Sequence, residues 1–238
     1  MRRFFIIFLI GWPVLSQSRD RYLVDWETVG NEALIHFTEL LRINTTNPPG
    51  NETAVANYLR NALARDEIEG RLYALEPGRD NLVARVTGNG SKLPILIMGH
   101  TDVVGVQREN WSVEPFDAVR RDGYIYGRGS LDDKDSVTAG LMLLLMLKRY
   151  QVELARDVIF LAEAGEEGTP HVGIDFMVNE HWNEIDSQYC LAEGGGAVAR
   201  DGEVRYVSIA TAEKFPMRVQ LVAHGTAGHG SAPRVDNA

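Results

Sequence analysis

Two unbroken apolar runs constrain this chain more than any other feature: "LPILIMGH" at 93–100 and "DVIFLAEA" at 157–164. Neither alternates polar with apolar residues. A strand of that kind needs cover on both faces, as in a parallel sheet layered between helices. Between them lies "DSVTAGLMLLLMLKRYQ", apolar at helical spacing. "RLYALE", "NLVARVTG" and "QYCLAEGG" read as further strands, the last of them buried. "TVGNEALIHFTELLRI" and "NETAVANYLRNALARDEI" read as helices, the second capped near Asn51, with Pro48, Pro49 and Gly50 making the turn between them. Strands alternating with helices predict an α/β fold: a mostly parallel sheet flanked by helices.

In such sheets, sites form where strands end and loops begin. His100, Glu166 and Glu193 each sit just past an apolar strand, in "ILIMGHTD", "VIFLAEAGEE" and "YCLAEGGG". That shared location predicts that they converge. After Thr211 the character changes. "EKFPMRVQLVAHGTAGHGSAPRVDNA" begins with alternation that suits an antiparallel strand and then enters a Gly-rich loop. The expected organisation is a leader at 1–18, a catalytic domain at 19–212, incomplete at its C-terminal side, and the start of a smaller α+β lid or dimerisation domain at 213–238.

The leader reads "MRRFFIIFLIGWPVLSQSRD". Two arginines, an apolar run from Phe4 to Leu15 and small residues Ser16 and Ser18 have the order of a signal peptide cleaved after Ser18. The run is short for a transmembrane helix, so export to the periplasm or outside is expected, without stable membrane insertion after cleavage; an uncleaved anchor is the alternative. Cys190 is the single cysteine, so no intrachain disulfide can form. Asn44, Asn51, Asn89 and Asn110 stand in glycosylation sequons. The formal net charge of −9 argues against a nucleic-acid partner.

The chemistry concentrates in four short stretches. In "GHTDVV", residues two apart share a side, so Asp102 can orient His100 in the manner of a carboxylate behind a zinc-binding imidazole. On its own the pair is a weak signal, since a histidine at a strand end is more often a hydrogen-bonded structural residue. In "YGRGSLDDKDS", Asp132 and Asp133 open a helix, where the dipole favours acidic residues. A carboxylate there can also bridge two metal ions roughly 3.5–4 Å apart. In "EAGEEG", Glu166 and Glu167 point apart as consecutive residues. One can hold a metal while the other takes a proton from water; a solvated acidic loop is the alternative. "LAEGGG" adds Glu193. Together these supply the N and O ligands that zinc accepts.

"GHTDVV", "YGRGSLDDK", "EAGEEG", "LAEGGG" and "AGHGSAP", in that order, resemble the aminoacylase/carboxypeptidase family of dizinc exopeptidases, from about Glu27 to Ala238. That family also includes dipeptidases, Gly-X and glutamate carboxypeptidases, and succinyl-diaminopimelate desuccinylase. "INTTNPPGNE" looks like its opening loop. The resemblance implies a phosphorylase/hydrolase-like dizinc peptidase catalytic domain. It implies that His100 and Glu193 bind one zinc, that Asp132 bridges both ions and that Glu167 binds the second. It makes Glu166 the general base toward a metal-bound water and Asp102 the residue that orients His100. It places His229 in the lid domain, where in dimers it helps stabilise the oxyanion in the partner subunit's site, and it makes Asn237 a substrate contact. It implies two Zn²⁺ per subunit, with Co²⁺ or Mn²⁺ as substitutes, and a homodimer through the lid. The family's last ligand to the second zinc is a histidine beyond the lid. His36, His171, His181 and His224 match no such motif, and His171 and His181 are expected at the surface.

The expected function is that of an exported zinc hydrolase acting on amide bonds, a carboxypeptidase or dipeptidase. An N-acyl amino acid deacylase is the alternative within the family, and an inactive metal-binding fragment the alternative outside enzymes.

Overall fold

The computed structural model describes residues 21–208, 219–226, 228, 229, 231, 232, 235 and 236. The leader at 1–18 and Asn237 lie outside them, as do most of the residues of the expected strand after Thr211. Residues 219–226 carry no regular structure. The chain divides into two compact units, 1–193 and 194–238.

The first unit runs α1 (Trp26–Arg42), α2 (Glu52–Ala64), β1 (Gly70–Ala74), β2 (Asp80–Val86), β3 (Ile95–His100), β4 (Val119–Arg121), β5 (Tyr124–Tyr126), α3 (Lys134–Arg149), β6 (Val158–Glu163), α4 (Ile174–Glu180), α5 (Trp182–Ile185) and β7 (Tyr189–Leu191). Five strands form one sheet in the order β1-β2-β6-β3-β7. β6 lies at its centre, and all six of its residues are buried. Side chains of a strand alternate between faces. Accordingly Val158, Phe160 and Ala162 join the core beneath α1, α2 and α3, while Ile159 and Leu161 join Phe176, Met177 and Ile185 of α4 and α5 on the other face. Helices therefore cover both faces, as the two apolar runs require.

The sheet is mixed. β3 pairs in parallel with β6 and with β7, whereas β1–β2 and β2–β6 are antiparallel. The parallel half delivers the C-terminal ends of β3, β6 and β7 to one edge. β7 corrects one expectation: its three residues are exposed rather than buried. Among the described residues it pairs with β3 alone.

Local chemistry explains the helix ends. Asp25 caps α1 by accepting from the backbone N–H of Glu27 and Thr28. Asn51 holds the N-cap position of α2 without a side-chain capping bond; its amide donates to the Asn44 carbonyl instead. At the far end of α1, the fully buried Lys134 donates from Nζ to the carbonyls of Leu40 (2.9 Å) and Ile43 (2.7 Å). The amine satisfies carbonyls that the helix leaves open, although burial lowers its pKa to about 7.

In the second unit, β8 (Gly196–Arg200) and β9 (Glu203–Ser208) form an antiparallel hairpin. Asp201 and Gly202 turn it with φ of 54° and 78°. Asp122 and Gly123 turn the β4–β5 hairpin with φ of 53° and 81°. Both are Asp-Gly turns with two positive φ angles, as a tight two-residue hairpin demands.

Candidate metal centre

The centre forms where the parallel strands end. His100 closes β3, and its side chain is almost wholly buried. Its Nδ1 faces Asp102, 3.1 Å from the backbone carbonyl and 3.4 Å from Oδ1. Nε2 points the other way, 2.8 Å from Asp132 Oδ1, 3.8 Å from Glu193 Oε2 and 4.0 Å from Glu166 Oε2. One buried imidazole thus has a carboxylate behind it and three in front. Ligand atoms of His100, Glu166 and Glu167 lie within 4.8 Å of one another, and so do those of His100, Asp133 and Glu193.

Asp102 is fully buried and does more than face His100. Its Oδ1 accepts from the Glu166 N–H at 3.1 Å, and its Oδ2 from the Glu167 N–H at 3.1 Å and from Asn47 Nδ2 at 2.7 Å. Burial opposes its charge. The bonds from His100 and Asn47, the His100 charge and the Glu167 N–H outweigh that and hold the carboxyl below the usual range. One carboxylate therefore fixes both the imidazole and the Glu166–Glu167 turn.

Asp132 and Asp133 divide the work of the helix start. Asp132 is largely exposed and faces the His100 ring. Asp133 is the N-cap residue of α3, yet its side chain makes no capping bond. It is buried and accepts from the backbone N–H of His100 at 3.2 Å. A Cβ on Gly99 would lie 2.7 Å from Asp133 Oδ2, so the glycine is what admits the carboxylate under β3.

The electrostatics are those of crowded carboxylates. Burial would lower His100, but Asp102, Asp132 and Glu193 overcome it and hold its proton up to about 10. Burial, together with the charges of Asp133, Asp132 and Glu166, raises Glu193 against the pull of His100. Burial and the charges of Asp132, Glu166 and Asp102 raise Glu167 likewise. Glu163, at the end of β6, is pushed up to about 8, first by burial and then by its acidic neighbours, and its Oε2 is buried without a hydrogen-bond partner. Such a set gains when a cation takes the place of the His100 proton. Its imidazole and carboxylate donors fit zinc.

The six expected residues His100, Asp102, Asp132, Glu166, Glu167 and Glu193 are thus together in one place. His229 lies in the second unit, where its Nδ1 accepts from Ser231 N–H at 3.3 Å and meets Ser231 Oγ at 2.7 Å. His171 is exposed near Glu76, and His181 packs between Tyr73 and Phe176. Asn47, Asp133 and Glu163 were not legible as site residues. The one signal for Asp133 was its adjacency to Asp132.

A mixed α/β sheet that collects an imidazole and several carboxylates at the ends of its parallel strands has the donor chemistry of a metallohydrolase. The comparisons make the class specific: residues 96–230 match the model of peptidase family M20/M25/M40, and the chain belongs to that family. A probable succinyl-diaminopimelate desuccinylase of Staphylococcus aureus is 32% identical over 205 residues, which are 85% of this chain and 47% of the relative. A human N-fatty-acyl-amino acid synthase/hydrolase, PM20D1, is 35% identical over 59% of this chain and 28% of its own length. Among solved structures, the M20 metallo-carboxypeptidase Sso-CP2 of Sulfolobus solfataricus superposes with a TM-score of 0.61 at 25% identity, over 70% of this chain and 38% of that one. Human carnosine dipeptidase 1 shares the fold, with a TM-score of 0.56 at 20% identity, over 70% of this chain and 40% of that one. The chain spans about half the length of the desuccinylase relatives it matches.

Proposed function

We infer that this chain carries the metal-binding and proton-transferring residues of a zinc-dependent hydrolase that cleaves amide bonds as a carboxypeptidase or dipeptidase. The observation that carries the reading is the buried His100, backed by Asp102 and faced at Nε2 by Asp132, Glu166 and Glu193. His100 and Glu193 would hold one ion, Glu167 would serve a second, and Asp132 would be available to both. Asp132 is taken as the shared ligand because it faces the ring nitrogen at 2.8 Å, while Asp133 Oδ2 accepts from the His100 backbone. Bound zinc supplies Lewis-acid chemistry: it polarises a carbonyl and acidifies water.

The chain's own residues do the rest. Glu166 accepts a proton from the attacking water at its carboxylate and passes it to the leaving amine. The Asp102 bonds to both N–H groups fix the backbone that carries the two glutamates, and contrary to the expectation for consecutive residues both carboxylates reach the His100 side of the centre. Asp102 holds the Nδ1 proton of His100, which leaves Nε2 free for metal. At His229, the Ser231 N–H occupies Nδ1 as donor, so the neutral ring carries its proton on Nε2 and can donate to an oxyanion. Asn237 contributes a substrate contact. The leader at 1–18 directs export, and the second domain supports a homodimer.

The desuccinylase and fatty-acyl-amino acid hydrolase among the relatives favour a second reading within the same chemistry, an N-acyl amino acid deacylase. A panel of dipeptides and N-acyl amino acids separates the two. Glu166→Ala should lower turnover by about 10²–10⁴-fold, the usual worth of a general base, with zinc content near wild type. Substantial activity in that variant would overturn the assignment of the base.

A further inference from the structure

Behind Asp102 lies a second set of buried polar groups that the mechanism above does not use. Arg79 is 6% exposed and Glu52 fully buried, and they form a forked ion pair, Nε to Oε2 at 2.6 Å and Nη2 to Oε1 at 2.7 Å. Nη2 also donates to Thr169 Oγ1 at 2.9 Å. The buried Asn47 amide donates to Thr169 Oγ1 at 2.8 Å and to Asp102 Oδ2 at 2.7 Å. Thr169 Oγ1 in turn reaches the Gly165 carbonyl at 3.4 Å, and Thr169 N–H donates to the same carbonyl at 2.9 Å.

The direction of every bond is fixed. Asp102 only accepts, so Asn47 must present its NH₂, and both amide hydrogens are then used. Arg79 only donates, so the Thr169 oxygen receives two hydrogens and its own can go only toward Gly165. The peptide that opens the Glu166–Glu167 turn is thereby held from both sides: its N–H, with that of Glu167, by Asp102, and its carbonyl, that of Gly165, by Thr169. Gly50 closes the arrangement. Its φ is +86°, and a Cβ there would lie 2.4 Å from Arg79 Nε and 2.7 Å from Glu52 Oε2.

We propose that Thr169 and Asn47 are positioning residues for the Glu166–Glu167 turn, anchored from behind by the buried Glu52–Arg79 ion pair. The proposal rests on the reading that this turn serves the metal centre. Thr169→Val removes the hydroxyl at nearly constant shape. In the metal-free protein, amide exchange at Glu166 and Glu167, followed by NMR, should quicken while β6 and α3 keep their protection, and Thr169→Ser should restore slow exchange. Zinc titrated against a chromophoric chelator should bind Thr169→Val about tenfold more weakly than wild type, as expected for a lost outer-shell contact, and bind Thr169→Ser nearly normally. Unchanged exchange, or quickening shared by the whole sheet, overturns the proposal. So does free exchange of the Glu166 and Glu167 amides in the wild type, a result that needs no variant. If wild-type protein bound no zinc, the metal-centre reading would fall, and the exchange data would still judge the clamp.

Discussion

His100 shows how one side chain can register the charge of its surroundings. In the metal-free protein its proton is held to about 10, far above the ordinary 6.5. A folded pKa raised in this way stabilises fully below pH 6.5, and that contribution is lost as pH rises toward 10. Glu163 has the same sign, raised from 4.5 to about 8, so its contribution is full below 4.5 and gone above 8. Lys134, lowered from 10.5 to about 7 by burial, has the opposite sign and offsets this increasingly above pH 7. The metal-free protein should therefore become less stable between about pH 6 and pH 8, read as a falling urea midpoint in the presence of a chelator. Excess zinc should flatten the trend, and His100→Asn should remove the His100 share of it without metal while leaving the share set by the burial of Glu163. A midpoint that rises over the interval would count against the crowded-carboxylate account. His100, Asp102 and the paired glutamates were legible in the sequence because each closes or follows an apolar strand. Asn47, Thr169 and Arg79 were not, because they reach the centre across 55 to 122 residues of chain through bonds that no local pattern encodes.

At the scale of elements, α3 and β6 test packing against propensity. Gly140 lies inside α3, where alanine is worth about 1 kcal/mol more than glycine in an exposed helix. Yet a Cβ at this position would fall 2.4 Å from Phe160 Cε2, 2.6 Å from Cδ2 and 3.1 Å from Cζ. Phe160 is fully buried in the central strand and has nowhere to turn. Overpacking of a tight core typically costs about 1–3 kcal/mol. Gly140→Ala should thus destabilise by about 1–2 kcal/mol net in urea unfolding; a more stable variant would show that the ring can move. β3, β6 and α3 were legible because a continuous apolar run and a helical period are local signals. Strand direction was not. Nothing in "RLYALE" or "NLVARVTG" states that β1, β2 and β6 run antiparallel, because direction is decided by connection and partner rather than by period. The two hairpins had a local signal that went unread, Asp-Gly between extended stretches at 122–123 and 201–202.

For the molecule as a whole, the arrangement of donors among the described residues decides how much metal the first unit can hold. Both clusters of candidate ligands include His100, and each is otherwise made of carboxylates. An imidazole cannot serve two ions through one ring nitrogen, and its other nitrogen is occupied by Asp102. Two ions bound with equal strength would need a second nitrogen donor. Within the first unit, His36 pairs with Tyr58 and Glu32, His171 lies near Glu76, and His181 is stacked between two aromatic rings, so none of these three supplies it. Sites made of carboxylates alone hold zinc less tightly than sites that include imidazole, in keeping with the ligand sets of zinc proteins. Equilibrium dialysis of this chain against zinc should therefore give one tight equivalent, abolished by His100→Asn, and a second that is bound only at higher free metal. Glu167→Gln should weaken the second equivalent and spare the first, while Glu193→Gln should do the reverse. Two equivalents of equal affinity in the wild type, or loss of the same equivalent in both glutamate variants, would mean that the carboxylates are shared between the ions differently from the assignment made here. The result matters beyond stoichiometry, because a single tight ion beside Glu166 would bring the proton acceptor and the Lewis acid together at the edge of one sheet.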